Sequence, residues 1–75
     1  DYLVALALKS VRGEVPRLRE ETYTAALAHF RDREDATNFI TIAQFMKGTF
    51  SKYADDMDVL IDLAEKGNWE ILKKL

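Results

Sequence analysis

His29 is the only histidine in the chain, and cysteine is absent. Histidine titrates near neutral pH, so His29 could carry a proton or accept a phosphoryl group. It lies in Ala-Leu-Ala-His-Phe, next to apolar residues, with no carboxylate or lysine at a supporting offset. Its simpler role is a helix-surface residue near a last turn, where partial positive charge suits the helix dipole. Without thiolates the chain can hold no disulfide, and it has no sulfur ligand for zinc or nucleophile for covalent catalysis. Ser10 and Ser51 have no histidine at a recognisable spacing, and no glycine-rich phosphate loop is present.

The other candidate chemistry is acidic. Asp55, Asp58, Asp62 and Glu65 fall on one side of a helix. Grouped carboxylates can bind a divalent cation or work as an acid–base pair. These lack the loop geometry of a calcium site, and no histidine stands at Glu-x-x-His spacing. A solvated face, aided by Lys52 and Lys66, is the plainer expectation, and a docking face for a basic partner is favoured over chemistry. The sequence therefore predicts no catalytic residue, no cofactor and no metal site.

The elements that must position these residues are helical. The 75 residues are enough for one domain, with a thin core. Tyr2 to Arg12 is dominated by leucine and alanine, which favour helix, and Gly13 is placed to end it. Pro16 suits the first position of a second helix reaching about Arg31. Tyr23, Ala26, Leu27 and Phe30 recur in it at helical spacing. The charged run 31–35 is a turn, and Asp35 is an N-cap for the third helical segment.

That third segment carries the strongest pattern. Ala36, Phe39, Ala43, Met46, Phe50, Tyr53, Met57, Leu60 and Ala64 alternate by three and four residues, a heptad stripe. Ile40, Ala54 and Ile61 widen it on one flank, Ile42 and Leu63 on the other. The register does not slip at Gly48, so one helix from about Ala36 to Lys66, roughly 46 Å long, is expected. The rival is a break at Gly48 with Thr49 as the new N-cap. Phe45 and Val59 occupy equivalent outer positions of the heptad, so they form a candidate second apolar contact. Gly67 and Asn68 then end one helix and start another, in which Trp69, Ile71, Leu72 and Leu75 give an apolar face. So short a helix must dock on the rest of the fold or on a partner.

Composition narrows the function classes. Net charge is −2 with the signs interspersed, and all five arginines precede Asp35 among acidic neighbours. A nucleic-acid binder usually shows a basic stripe, and none is present. The turn at 31–35 is also longer than that of a helix-turn-helix. The longest apolar run, Tyr2 to Leu8, is far shorter than the roughly 20 residues a bilayer needs. It also lacks the features of a signal peptide. The absence of cysteine suits a reducing compartment, the cytoplasm. The chain begins with Asp1 rather than Met, as a processed product or a piece of a longer protein would.

The stretch Phe50 to Leu75, FSKYADDMDVLIDLAEKGNWEILKKL, resembles the first half of a histidine phosphotransfer domain. Gly67-Asn68-Trp69 and the adjoining Glu70-Ile71-Leu72-Lys73-Lys74-Leu75 look like that family's turn and its run into the phosphorylated helix. The resemblance covers about the last third of the chain. It implies a four-helix signalling module. The family's His-x-x-Lys-Gly motif would come after Leu75, and His29 does not match it, so no phosphoacceptor is carried over.

These readings converge on an all-α domain spanning residues 1–75. Its expected form is a small up-and-down bundle of three to four helices around one long helix, self-contained or completed by dimerisation. The expected function is a non-enzymatic protein–protein interaction module in a regulatory or scaffold role. Its partner is another protein or a second copy, with no membrane role and no evident small-molecule substrate, and with nucleic acid disfavoured. The candidate partner surface is Phe45, Val59, Asp55, Asp58, Asp62 and Trp69. The alternatives are a phosphorelay-type domain lacking its phosphoacceptor and a small helical DNA-binding regulator.

Overall fold

The computed structural model describes residues 1–75 and contains helices and turns only. They are α1 (Tyr2–Val11), α2 (Glu20–Asp32), α3 (Ala36–Thr49), a 3-10 turn (Ser51–Tyr53), α4 (Ala54–Glu65) and α5 (Trp69–Lys74).

The helix ends obey local chemistry. The Asp1 carboxylate accepts from the Leu3 N–H at the start of α1, and Asp35 accepts from the Asn38 N–H at the start of α3. Gly13 and Gly67 take φ of +80° and +71° just past α1 and α4, the left-handed conformation expected of a glycine after a last turn. Glu34 takes the same conformation after α2, at φ +55°, where a side chain makes it less favourable.

The second helix begins later than Pro16 predicts. Residues 13–19 form a loop, and Arg19 is extended before α2 starts at Glu20. The loop has its own polar partners. The Ser10 hydroxyl donates to the Pro16 carbonyl at 3.3 Å, and the Leu18 N–H donates to the Tyr23 hydroxyl at 2.9 Å. These bonds hold the loop across the end of α1, so Pro16 does not join the helix.

The single long helix is also corrected. The chain leaves helix at Phe50, whose backbone is extended, and doubles back, so α3 and α4 pack against each other. Gly48 stays inside α3, two residues short of the break. Neither α1 nor α2 is long enough to cover a helix of 31 residues, so the straight form would leave half its stripe in water. Folding the stripe in two buries Phe39, Ala43, Met46, Met57 and Ala64 against one core. Phe50 is pinned at the bend, with its ring 5.9 Å from Tyr23 and the Arg17 guanidinium 5.8 Å from its centroid.

The core is one cluster, in which Tyr23, Phe39, Ile42, Met46 and Leu72 are the largest fully buried side chains. Helix α3 lies at its centre and packs against α1, α2 and α4. Helix α5 bridges α2 and α4 at one end. Helices α2 and α4 flank α3 without packing on each other.

Candidate functional site

The gap between α2 and α4 is an apolar groove of about 290 Å³. Its floor is Phe39 and Met46 of α3. One wall is the α2 face carrying Thr24, Leu27, Ala28 and Arg31. The other is Tyr53 with Met57 and Leu60 of α4, and Leu72 and Leu75 close the α5 end. Nine of these eleven residues are hydrophobic, so the groove is suited to apolar groups rather than to ordered water. A shallower continuation past Thr24, Ala25 and Ala28 reaches Glu20 and Glu21.

The groove exists because of residue size. Toward the groove α2 presents Thr24 and Ala28, too small to span the distance to α4, beside the larger Leu27 and Arg31. The large side chains of α2, Tyr23, Leu27 and Phe30, are buried in the core. The wall of small residues therefore stays open while the rest of α2 packs.

Each end of the groove carries a polar bridge. At the first, the Glu20 carboxylate accepts from the Tyr53 hydroxyl at 3.0 Å, and Lys52 lies 3.1 Å from the same oxygen. The Lys52 hydrogen bond, then that of Tyr53, outweighs desolvation and holds the Glu20 carboxyl below its usual range. The same carboxylate raises both donors: hydrogen bonding to Glu20 is the leading cause for Lys52 and for Tyr53. At the second end, Lys73 of α5 donates to Glu34 at 2.8 Å, tying α5 to the turn after α2.

None of the expected partner-binding residues lines the groove; Asp55, Asp58, Val59 and Asp62 share one exposed face of α4, and Phe45 and Trp69 lie apart from them. Val59 is exposed on α4. Asp55, Asp58 and Asp62 are also exposed on α4, but two are neutralised, Asp58 by Lys47 and Asp62 by Lys66. Lys52, expected to serve this acidic face, is committed to Glu20 instead. Phe45 is not an outer residue: its ring packs on buried Tyr23 at a centroid distance of 4.9 Å. The bend at Phe50 breaks the equivalence with Val59, because each arm turns its own faces. Trp69 is half-buried and meets Phe39 edge-on at 5.6 Å, so it anchors α5.

His29 sits in the last turn of α2, its Nδ1 3.1 Å from an Arg33 guanidinium nitrogen. Desolvation first, then the Arg33 charge, lowers its pKa. Arg33 also donates to the His29 carbonyl, so Arg33 rather than a charged imidazole serves the helix end. No three histidine, aspartate or glutamate side chains gather in a way that could hold a metal ion. No helix is long and apolar enough to cross a membrane.

Sequence reasoning placed Phe39, Met46, Tyr53, Met57 and Leu60 on the stripe but gave them to a filled core. The signal for the groove lay on α2, where small residues share one face opposite that stripe. No protein-family model, curated protein or solved structure matches the chain.

Proposed function

We propose that this chain is a non-enzymatic protein–protein interaction module, in a regulatory or scaffold role, that receives the apolar face of a partner helix in the groove between α2 and α4. The observation that supports this is the apolar depression edged by the accessible Ala28, Tyr53, Leu60 and Leu75, above the buried Phe39 and Met46. Helix-in-groove recognition uses such a surface, with knobs at i, i+3 or i+4, and i+7 entering a trough between two helices. The lined part of α2, from Thr24 to Arg31, spans about 10 Å, or two turns of a partner helix. A volume of about 290 Å³ suits two or three leucine-sized side chains.

The test is titration of the isotopically labelled chain with an uncharged amphipathic helical peptide, one leucine stripe on a glutamine background, monitored by amide NMR shifts. The expected result is saturable shifts at Ala28, Met57 and Leu60, lost in Ala28→Trp or Thr24→Trp chains that keep their helical circular dichroism. Shifts confined to Val59 and the acidic face of α4 would overturn this placement. Light scattering across a concentration series separates a partner helix from a second copy: growth in mass without peptide would give the groove to self-association.

A further inference from the structure

We infer that α5 is a displaceable plug at one end of the groove, and that the partner helix takes its place, setting a leucine-sized side chain where Leu72 now sits. This rests on the proposed docking of a helix in the groove and says how that helix enters. Helices α2 and α4 do not pack on each other, and α5 packs on both. Its Leu72 is fully buried and lines the groove with Leu75. Its Trp69 adds an edge-on contact with Phe39 on the groove floor. One end of the cleft is therefore already filled by a helix of the chain itself, which shows what the cleft accepts.

The hold on α5 is slight. It has six residues, and Asn68 before it makes no side-chain capping bond. A helix that short does not persist in water without its packing. Leu72 is its only fully buried residue, while Ile71 and Leu75 stay exposed. Its one side-chain tie to the bundle, Lys73 to Glu34, joins two exposed groups and adds little. The turn before it belongs to α4: the Gly67 N–H donates to the Ala64 carbonyl and the Asn68 N–H to the Leu63 carbonyl. Helix α5 can thus leave while the end of α4 stays formed, a local opening of the kind that few buried contacts permit.

A partner helix must displace something at one end. The open stretch of α2, from Thr24 to Arg31, is about two turns long. Isolated helices shorter than about 12 residues are marginal in water, so a partner helix overruns it. It meets α5 at one end and the Glu20–Tyr53 bridge at the other. Past the bridge the surface is half polar, with Glu20, Glu21 and Thr24 in its lining, so breaking the bridge gains little apolar contact. In the place of α5, the partner regains the apolar burial that Leu72 gives up, and the exchange is nearly neutral.

The probe is a capped, uncharged, tryptophan-free peptide of about 15 residues, a leucine stripe on a glutamine background. Trp69 is the only tryptophan, so its emission reports α5 in the intact chain. At saturation the emission is expected to move most of the way to that of the chain unfolded in urea, while the amide NMR signals of α1, α2 and α3 stay those of a folded protein. Lys73→Glu sets a carboxylate against Glu34 and should tighten peptide binding about three- to tenfold, because less of the chain keeps the groove plugged. Lys9→Glu, the same charge reversal on α1, should leave affinity unchanged. Amide shifts at Ala28, Met57 and Leu60 with unchanged Trp69 emission would overturn the displacement and leave the docking groove standing. No shifts at those residues, in the native chain or in Lys73→Glu, would overturn both. Equal affinity of the native and Lys73→Glu chains would show that α5 does not restrain binding and overturn the inference. A mass that doubles without peptide would give the place of α5 to a second copy and overturn the partner helix.

Discussion

The hydroxyls of Tyr23 and Ser10 lie 2.5 Å apart inside the protein, thirteen residues apart in sequence. Their neighbours fix the direction of the bond. The Leu18 N–H donates to Tyr23, and Ser10 donates to the Pro16 carbonyl, so the Tyr23 proton points to Ser10. The result is a relay of three hydrogen bonds that ties α1, the loop and α2 together. Ser10 is the only polar residue other than tyrosine in the buried set, and it is satisfied there.

Removing one hydroxyl from this relay leaves a buried group unpaired. Tyr23→Phe keeps the ring but strands the Leu18 N–H, and is expected to cost about 1–3 kcal/mol. Ser10→Ala strands the Tyr23 hydroxyl at a similar cost. Because the two act on one network, the double variant should lose less than the sum of the singles. Urea unfolding of the four chains measures this, and additive losses would show that the relay does not couple the two residues.

Glycine substitutions separate the end of a helix from its interior. Gly67→Ala puts a Cβ into open space but at φ +71°, so its cost is backbone alone, about 1 kcal/mol or somewhat more. Gly48→Ala also meets open space, but inside α3, and should gain up to about 1 kcal/mol from helix propensity. The opposite signs, read from thermal midpoints, locate the bend at Phe50. Destabilisation by Gly48→Ala would return the break to Gly48.

The bridge at Glu20 gives stability a pH dependence at both extremes. The folded Glu20 carboxyl sits below its usual range, so its contribution is present above the ordinary carboxylate pKa. It is lost as pH falls through the lowered folded value. Lys52 and Tyr53 are raised, so theirs is present below their ordinary values and lost as pH rises through the raised ones. Glu20→Gln should therefore be less stable than the native chain at neutral pH, and the two profiles should converge in acid. Chemical denaturation from acid to alkaline pH tests this; a gap that persists at the acid end would assign the loss to something other than the carboxylate charge.

The helix boundaries were legible where single residues dictate them. Gly13, Asp35 and Gly67 each act through their own backbone or side chain, and each stands at the boundary expected of it; Asn68 stands at its boundary too, but its side chain makes no capping hydrogen bond. The bend at Phe50 was hidden because a stripe folded in half keeps the same spacing as a straight one. Periodicity reports which face is buried, not what covers it. Pro16 misled for a related reason: its fitness for a helix start competes with loop bonds from Ser10 and Tyr23, which are distant in sequence. The groove was hidden because a missing contact leaves no pattern of its own. It arises from Thr24 and Ala28 being small where α4 stands too far away to meet them.

Phe45 and Val59 put the bend to a direct test, since a straight helix would make them equivalent. In the folded chain Phe45 stacks on Tyr23 and packs against the core, whereas Val59 is 56% exposed. Phe45→Ala is expected to cost about 2–4 kcal/mol, from lost burial and the cavity left beside Tyr23. Val59→Ala should change stability by no more than about 0.5 kcal/mol, as at an ordinary surface site. Denaturant midpoints of the two variants decide the matter. Equal small effects would mean that both residues face outward, as on an unbroken helix, and that the reversal at Phe50 is wrong. Equal large effects would mean that Val59 is covered in solution, by a second copy or another part of the chain, and would turn the search for a partner surface back to α4.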